Sequence, residues 1–192
     1  MQYSHSNSNK IMVVGMKPRS LLNFRGKLLD DMAKLGYDVI ACSSPAPQDI
    51  IDRLEAMNVS YRSVPFQRIG LSPIQDIKSL KQIRKIYQIE QPDKVLLYTV
   101  KPVIYGGIAS HNLNIDIYSL ITGAGYTFTQ SNIKQRLISS VVQYLYKLAL
   151  SSSKAIIFQN PDDFKLFRQR RLLDTNTLSY IVNGSGVDTE HF

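Results

Sequence analysis

The sequence predicts an α/β fold, namely a doubly wound parallel sheet of about seven strands. Short apolar runs rich in β-branched residues alternate with longer amphipathic segments, which is the pattern of consecutive βαβ units. Several short runs are apolar at every position, as expected for strands that helices cover on both faces of the sheet. The length of 192 residues suits one domain with a substantial core.

Each predicted strand is a short run in which Val, Ile, Leu and aromatic residues are frequent. In chain order the strands are Ile11–Gly15, Asp38–Cys42, Ser60–Val64, Lys94–Tyr98, Asp116–Ile121, Lys154–Phe158 and Leu178–Val182. Longer segments between them have the apolar spacing of helices. In chain order these are Leu21–Leu35, Gln48–Met57, Pro73–Glu90, Pro102–Asn112, Lys134–Ser151 and Pro161–Arg170.

Several helix boundaries carry residues with known capping preferences. Gly36 follows the first helix as a C-terminal cap. Ser72 is an N-cap followed by Pro73 at the first helical position, and Asn160 caps the last helix. Gly106-Gly107 lies inside the fourth helix, where each glycine costs about 1 kcal/mol relative to alanine. We therefore expect this helix to pack closely against the sheet.

Composition excludes several classes of protein. Hydrophobic residues make up 44% and charged residues 20%, which excludes a disordered or collagen-like chain. The single cysteine, Cys42, excludes a disulfide framework and a cysteine-based zinc site, and it is typical of a reducing cytosol. No stretch reaches the roughly 18–20 apolar residues of a membrane span. Residues 1–9 lack the apolar core of a signal peptide, and we expect a disordered polar tail there.

Residues that follow the strands are the candidates for ligand binding, because ligands of an open parallel sheet bind beyond the carboxyl ends of its strands. Gly15 ends the first strand and allows close approach of a ligand or a second domain to the backbone. Lys17 and Arg25 add positive charge near a helix N-terminus, which favours an anion. An ordinary turn with solvated cations is the alternative. Gly123-Ala-Gly125 exposes backbone N–H groups but lacks the third glycine of a dinucleotide fingerprint.

Other chemistries lack the residues that they need. His5, His111 and His191 are too scattered for a Ser-His-Asp arrangement or an H-E-x-x-H motif. Asp30-Asp31 and Asp162-Asp163 are adjacent pairs on predicted helices, where neighbouring side chains point apart. We therefore expect no metal site.

The formal net charge of +8 raises the question of an anionic partner. Lys78, Lys81 and Lys85 share one face of a predicted helix, with Arg84 beside them. No nucleic-acid-binding motif accompanies the charge, so we expect no nucleic acid partner. An anionic membrane surface or a lipid that carries a diphosphate fits the charge, and a merely solvated face is the alternative.

Five motifs, taken together, resemble one known family. They are Asn23-Phe-Arg-Gly26, Tyr98-Thr-Val-Lys-Pro-Val-Ile-Tyr-Gly106, Thr122-Gly-Ala-Gly-Tyr-Thr-Phe128, Phe158-Gln-Asn-Pro-Asp-Asp163 and Val182-Asn-Gly-Ser-Gly-Val-Asp-Thr-Glu-His-Phe192. In this order they resemble the Rossmann-like N-terminal domain of family 4 glycosyltransferases, which have two domains in the GT-B arrangement. Within this family the sequence most resembles the bacterial enzymes that extend lipid-linked sugars for capsule, O-antigen or glycoprotein glycans. The family commonly has a larger residue than Ala124.

The resemblance implies a division of the enzyme into two halves. Residues 10–182 correspond to the acceptor-side domain, and residues 183–192 correspond to the start of the interdomain linker. The second domain binds most of the nucleotide sugar in the family and has no counterpart in the sequence. We therefore expect the chain alone to be inactive. An alternative is a non-catalytic module or subunit that recruits the acceptor or a separate donor-domain partner.

The reaction implied by the resemblance is hexosyl or N-acetylhexosaminyl transfer with retention of configuration. The sugar passes from a nucleotide diphosphate donor to a lipid-linked or polysaccharide acceptor, without a cofactor and usually without a metal. Motif positions assign three groups of residues to the cleft between the two domains. The cleft-facing loop has Gly15, Lys17 and Arg25, and the acceptor side has Tyr105 and Lys101, the latter as catalytic candidate. The floor of the cleft has Thr122, Gly123 and Gly125.

A membrane-resident acceptor implies a cytoplasmic enzyme that associates peripherally with the inner face of the plasma membrane. We expect Lys78, Lys81, Arg84 and Lys85 to face that membrane. The segment 134–147 combines basic residues with apolar ones, and we expect the apolar ones to serve the core. These apolar residues are Leu137, Ile138, Val141, Tyr144 and Tyr146.

Overall fold

A computed structural model describes residues 9–67, 72–123, 133–174 and 176–184. Its strands are β1 (Lys10–Val14), β2 (Asp38–Ser43), β3 (Val59–Ser63), β4 (Lys94–Tyr98), β5 (Asp116–Ile121), β6 (Ser153–Phe158) and β7 (Leu178–Ile181). The helices within the described residues are α1 (Pro18–Lys34), α2 (Gln48–Glu55), α3 (Pro73–Glu90), α4 (Val100–Ala109), α5 (Ile133–Leu150) and α6 (Pro161–Gln169). The predicted tail and linker lie largely outside the described residues, as does Gly125.

All the strands pair in parallel in one sheet, in the order β3-β2-β1-β4-β5-β6-β7. The chain first builds outward from β1 to β3, and α3 then returns it to β4 beside β1. Val14 of β1 is aligned with Leu97 of β4. The strand order therefore reverses between β1 and β4, and this reversal opens a crevice at their carboxyl ends.

The core has two layers, one on each face of the sheet. Alternate residues of β1 enter different layers, because successive side chains of a strand point to opposite faces. Ile11 and Val13 pack with residues of α1 and α2, whereas Met12 and Val14 belong to the layer that contains residues of α3, α4, α5 and α6. The doubly wound parallel sheet predicted from the sequence is confirmed.

Every predicted strand is present within one residue of its expected bounds. The largest differences concern helix ends. Helix α1 begins at Pro18 rather than Leu21, and α4 begins at Val100 rather than Pro102. Proline is tolerated in the first turn of a helix because the N–H groups there have no intrahelical partner. Pro102 therefore lies in the first turn of α4 without being its first residue, whereas Pro18 is the first residue of α1.

The predicted caps are confirmed in two cases and differ in the third. The Asn160 side chain accepts a hydrogen bond from the backbone N–H of Asp163 at 2.7 Å. Gly36 follows α1 with a φ of 85°, a conformation that favours glycine. Ser72 is the N-cap of α3, but its side chain makes no capping bond. Its backbone N–H donates to Asp76 Oδ2 at 3.1 Å instead.

Gly106 and Gly107 are sites of close packing, as predicted. A Cβ on Gly106 would lie 2.5 Å from Leu97 Cδ2 of β4. A Cβ on Gly107 would lie 2.6 Å from the carbonyl oxygen of Ala149 in α5, so this glycine packs on a helix rather than on the sheet. No helix among the described residues has the length and apolar character needed to cross a bilayer.

Gly107→Ala is expected to lower the free energy of unfolding by about 1–3 kcal/mol, because the backbone of Ala149 cannot move aside easily. The control is Gly26→Ala in α1, where the nearest atom to a new Cβ is 4.0 Å away. That substitution should stabilise the protein by about 0.5–1 kcal/mol through helix propensity. Urea denaturation measures both, and equal effects of the two substitutions would contradict the close contact.

Candidate functional site

A pocket of about 350 Å³ opens at the carboxyl ends of β1, β4, β5 and β6. It therefore lies at the reversal of strand order, where ligands of this kind of sheet bind. Residues from the loop after β1, from α1 and from the segments after the other three strands line it. They are Met16, Lys17, Ser20, Phe24, Arg25, Tyr98, Thr99, Thr122 and Gln159.

The lining is positively charged. Lys17 and Arg25 contribute cations, and none of the lining residues is Asp or Glu. Lys17 is exposed and is the N-cap of α1, whose first turn has no acidic residue. The positive end of the α1 dipole adds to the two cations. The pocket is therefore suited to an anionic group.

The Tyr98 ring occupies the space beside Gly15. A Cβ on Gly15 would lie 2.1 Å from Tyr98 Cζ and from the hydroxyl oxygen. The sequence predicted that this glycine allows close approach of a ligand or a second domain, but the group that approaches it is Tyr98. Gly15 therefore contributes to the pocket by accommodating a tyrosine that lines it.

The Tyr98 hydroxyl is held by α1. The Tyr98 hydroxyl oxygen lies 2.9 Å from Ser20 Oγ. The Ser20 hydroxyl uses its own proton to donate to the carbonyl oxygen of Lys17 at 2.6 Å. The Tyr98 hydroxyl is therefore the donor to Ser20. Burial raises the pKa of Tyr98 to about 12, with the Ser20 hydrogen bond and the Arg25 charge acting in the opposite direction. Tyr98 is a neutral phenol at physiological pH.

Arg25 is a buried cation with a relative exposure of 5%. Its guanidinium carbon lies 5.0 Å from the centroid of the Tyr98 ring, within the range of a cation–π contact. Nη1 donates to the carbonyl oxygen of Phe24 at 2.7 Å, and the buried Nε has no hydrogen-bond partner among the described residues. No carboxylate in the described part of the chain pairs with Arg25. Burial lowers the pKa of Arg25, and Tyr98 acts in the opposite direction.

Thr99 has an uncommon backbone conformation, with a φ of 68° and a ψ of 160°. It is the N-cap of α4, yet its hydroxyl makes no capping bond, and the buried Oγ1 has no partner among the described residues. Conformations of this kind cost about 1–3 kcal/mol in a residue other than glycine and occur most often at functional sites. Thr99 is therefore a binding candidate on grounds independent of charge.

The structure brings together some of the predicted site residues. Lys17, Arg25 and Thr122 line the same pocket, and Gly123 follows Thr122 with a φ of 132°. The lining residues that were not singled out from the sequence are Met16, Ser20, Phe24, Tyr98, Thr99 and Gln159. Tyr98, Thr99 and Gln159 stand at or directly after the carboxyl ends of β4 and β6. The rule that ligands bind beyond the carboxyl ends of the strands, called the strand-end rule below, could therefore have found these three.

Lys101 and Tyr105 lie outside the lining, in the contact of α4 with α3. Lys101 Nζ donates to Asp76 Oδ1 at 2.9 Å, and the two side chains are only 12% and 11% exposed. Burial raises the pKa of Tyr105, and Asp76 raises it further. The catalytic role of Lys101 stays a prediction, and the observed ion pair joins the start of α3 to α4.

The described part of the chain offers neither a cluster of metal-ligating side chains nor a reactive cysteine. No group of three or more His, Cys, Asp or Glu side chains suitable for a metal ion occurs there. Cys42 is buried in β2, and burial raises its pKa to about 12. A thiol in this state is a poor nucleophile.

The basic residues of α3 separate into two groups. Lys78, Lys81 and Lys85 are exposed. Arg84 instead donates from Nη1 to the carbonyl oxygens of Ala109 and His111 at 2.9 and 3.0 Å. It therefore satisfies carbonyls at the end of α4, and the expectation that it faces a membrane is corrected.

The apolar residues of α5 also depart from the prediction that they serve the core. Tyr146 is buried, but four of the five are exposed. The exposed residues are Leu137, Ile138, Val141 and Tyr144, at 68%, 39%, 45% and 68%. A helix that packs on a sheet buries one face, and α5 carries apolar residues on more than one.

Residues 20–160 match the glycosyl transferase 4-like family, which covers more than half of the chain. The chain belongs to this family. A search of curated protein sequences found no match. The resemblance of the motifs to the N-terminal domain of a GT-B glycosyltransferase is confirmed.

Solved structures share the fold at low sequence identity. Sucrose-phosphate synthase from Thermosynechococcus elongatus has a TM-score of 0.64 at 9% identity, over 91% of this chain and 47% of that chain. MurG from Acinetobacter baumannii has a TM-score of 0.55 at 12% identity, over 96% and 47%. UDP-GlcNAc 2-epimerase from Neisseria meningitidis, bound to UDP-GlcNAc, has a TM-score of 0.60 at 12% identity, over 92% and 47%. The chain spans about half the length of these structures.

Lys101→Met is expected to lower the free energy of unfolding by about 3 kcal/mol, because it leaves the Asp76 carboxylate buried without its cation. The double variant Lys101→Met with Asp76→Asn should lose less than the sum of the two single variants. Urea denaturation of all four proteins measures the coupling. Strictly additive losses would contradict a stabilising interaction between the Lys101 and Asp76 side chains.

Proposed function

We propose that the chain is the acceptor-side domain of a retaining glycosyltransferase. The enzyme moves a hexosyl or N-acetylhexosaminyl group from a nucleotide diphosphate donor to a lipid-linked or polysaccharide acceptor. The observation that carries the proposal is the cationic pocket at the strand-order reversal in a chain of the glycosyl transferase 4-like family.

The chemistry of sugar transfer matches the groups that the pocket supplies. When the bond from the sugar to the diphosphate breaks, negative charge develops on the leaving oxygen, and fixed cations stabilise it. Lys17 and Arg25 are such cations. Hydroxyl and amide groups of the lining, including those of Thr122 and Gln159, suit the hydroxyls of a sugar. The lining contains no Asp, Glu, His or Cys, so its contribution is binding and charge stabilisation.

The family match supports glycosyl transfer over the other activities found on this fold. Solved 2-epimerases of UDP-GlcNAc have similar folds, but they are only 12–14% identical in sequence to this chain, so the likeness concerns the fold alone. The family match names glycosyl transfer. The alternative is a non-catalytic module or subunit that recruits the acceptor or a donor-domain partner.

A transfer assay separates these functions. The purified 192-residue chain should give no steady turnover of nucleotide sugars, because most donor contacts are expected in the second domain. The protein encoded by the full reading frame, or the chain together with a separate donor-domain subunit, should transfer labelled sugar to a polyprenyl diphosphate-linked acceptor. Turnover by the chain alone would contradict the division into halves. Absence of transfer by every complete assembly would contradict the glycosyltransferase.

The Arg25→Gln substitution tests the pocket within that assay. Loss of a charge-assisted contact of about 1.5–3 kcal/mol should lower turnover roughly 10-fold to 100-fold. Arg53→Gln is the control, because Arg53 is exposed on α2 and outside the lining. Equal turnover of the two variants would show that the pocket takes no part in the reaction.

The proposal includes an anionic membrane surface as partner, in a cytoplasmic enzyme bound peripherally at the inner leaflet. Helices α3 and α5 both pack against α4. The first presents the exposed Lys78, Lys81 and Lys85, and the second presents a row of exposed apolar side chains one helical turn apart. The row is Leu137, Val141, Tyr144 and Leu148. Exposed cations together with exposed apolar side chains on one layer of helices fit interfacial membrane binding.

Vesicle co-sedimentation tests the membrane surface. Each lysine near an anionic surface contributes about 1 kcal/mol, so changing Lys78, Lys81 and Lys85 to Gln should weaken binding by about two orders of magnitude at low salt. Salt should weaken binding of the unaltered protein in the same direction. Tyr144→Ser should lower the part of the binding that resists salt. Equal sedimentation with neutral and anionic vesicles, or none with either, would contradict the membrane partner.

A further inference from the structure

Two buried polar atoms without partners belong to residues of the same pocket. Among the described residues, three buried side-chain polar atoms have no hydrogen-bond partner: Arg25 Nε, Thr99 Oγ1 and the Tyr87 hydroxyl. Arg25 and Thr99 both line the pocket, whereas Tyr87 belongs to the core. Buried polar groups in native proteins are almost always paired, so this concentration indicates the position of a polar ligand.

The chemistry of the two groups defines the ligand. An arginine side chain only donates hydrogen bonds and carries a positive charge, and its planar fork matches phosphate and carboxylate oxygens. Nη1 of Arg25 is engaged by the Phe24 carbonyl, which leaves Nε for another acceptor. The Thr99 hydroxyl can donate a second hydrogen bond. The complementary group is an oxyanion with at least two accepting oxygens.

Tyr98 fixes the position of the guanidinium. The ring stacks with Arg25 at 5.0 Å, its hydroxyl is held by Ser20, and the absence of a Cβ at Gly15 makes room for it. Thr99 follows Tyr98 directly in the chain. The contacts of Tyr98 at the end of β4 therefore bear on the positions of both Arg25 and Thr99.

We propose that Arg25 and Thr99 form an oxyanion subsite that binds a phosphate group of a substrate, with Tyr98 as positioning residue and Lys17 as a second cation at the rim. The subsite rests on the proposed function only for the source of the phosphate. That source is either the diphosphate of the nucleotide donor or the diphosphate of a lipid-linked acceptor.

Nuclear magnetic resonance of the arginine Nε–H groups tests the subsite in the intact 192-residue chain. Inorganic diphosphate should shift the Arg25 Nε–H signal saturably at millimolar concentration. Arg25→Gln should weaken diphosphate binding at least tenfold, and Arg53→Gln should change it less than twofold. Thr99→Val, which preserves shape and removes the hydroxyl, should weaken binding severalfold. It keeps the test decisive where Arg25→Gln impairs folding, which circular dichroism reports.

Two further titrations distinguish the sources of the phosphate. Arg25-dependent binding of farnesyl diphosphate that exceeds that of uridine diphosphate assigns the subsite to the acceptor, and the reverse assigns it to the donor. No saturable shift with any of the three diphosphates, or equal binding by the Arg25→Gln and Arg53→Gln variants, overturns the subsite. These titrations involve no sugar transfer. An active enzyme without Arg25-dependent binding therefore refutes the subsite alone, and binding without transfer refutes the glycosyltransferase alone.

Discussion

The parallel pairing of β1 with β4 is the constraint on which the site depends. It places the first strand beside the fourth and sends the chain in opposite directions from that pair. The loops after the two strands diverge, and the pocket opens between them. Tyr98, at the end of β4, then crosses to Gly15, at the end of β1. The contact works only because position 15 has no Cβ.

Charge in the site follows from this arrangement. The Tyr98 ring provides a face for Arg25, so a guanidinium is held in a buried position where no carboxylate of the described residues pairs with it. Two half-buried cations of the described chain have carboxylate partners instead: Lys101 pairs with Asp76, and Arg62 pairs with Glu90. The paired cations join elements of the fold, and we propose that Arg25 is instead available to a substrate.

Much of the fold could be predicted from the sequence, because apolar periodicity specifies strands and helices locally and capping residues mark their ends. The strand-end rule also found Lys17, Arg25 and Thr122. The remainder depends on contacts between distant residues. Tyr98 has the pattern of the last core residue of a strand, and only tertiary packing shows its ring beside Gly15. Arg84 differs from its lysine neighbours because the end of α4 lies next to it. Likewise, the Asp76 partner of Lys101 is 25 residues away.

The most direct test of the central claim, that this domain holds a substrate phosphate at the end of the β1–β4 pair, is a crystal structure of the chain with diphosphate. We expect diphosphate oxygens within hydrogen-bond distance of Arg25 Nε and Thr99 Oγ1, with the Tyr98 ring still against Gly15. Diphosphate bound elsewhere, or Arg25 turned out of the pocket toward a carboxylate, would contradict it.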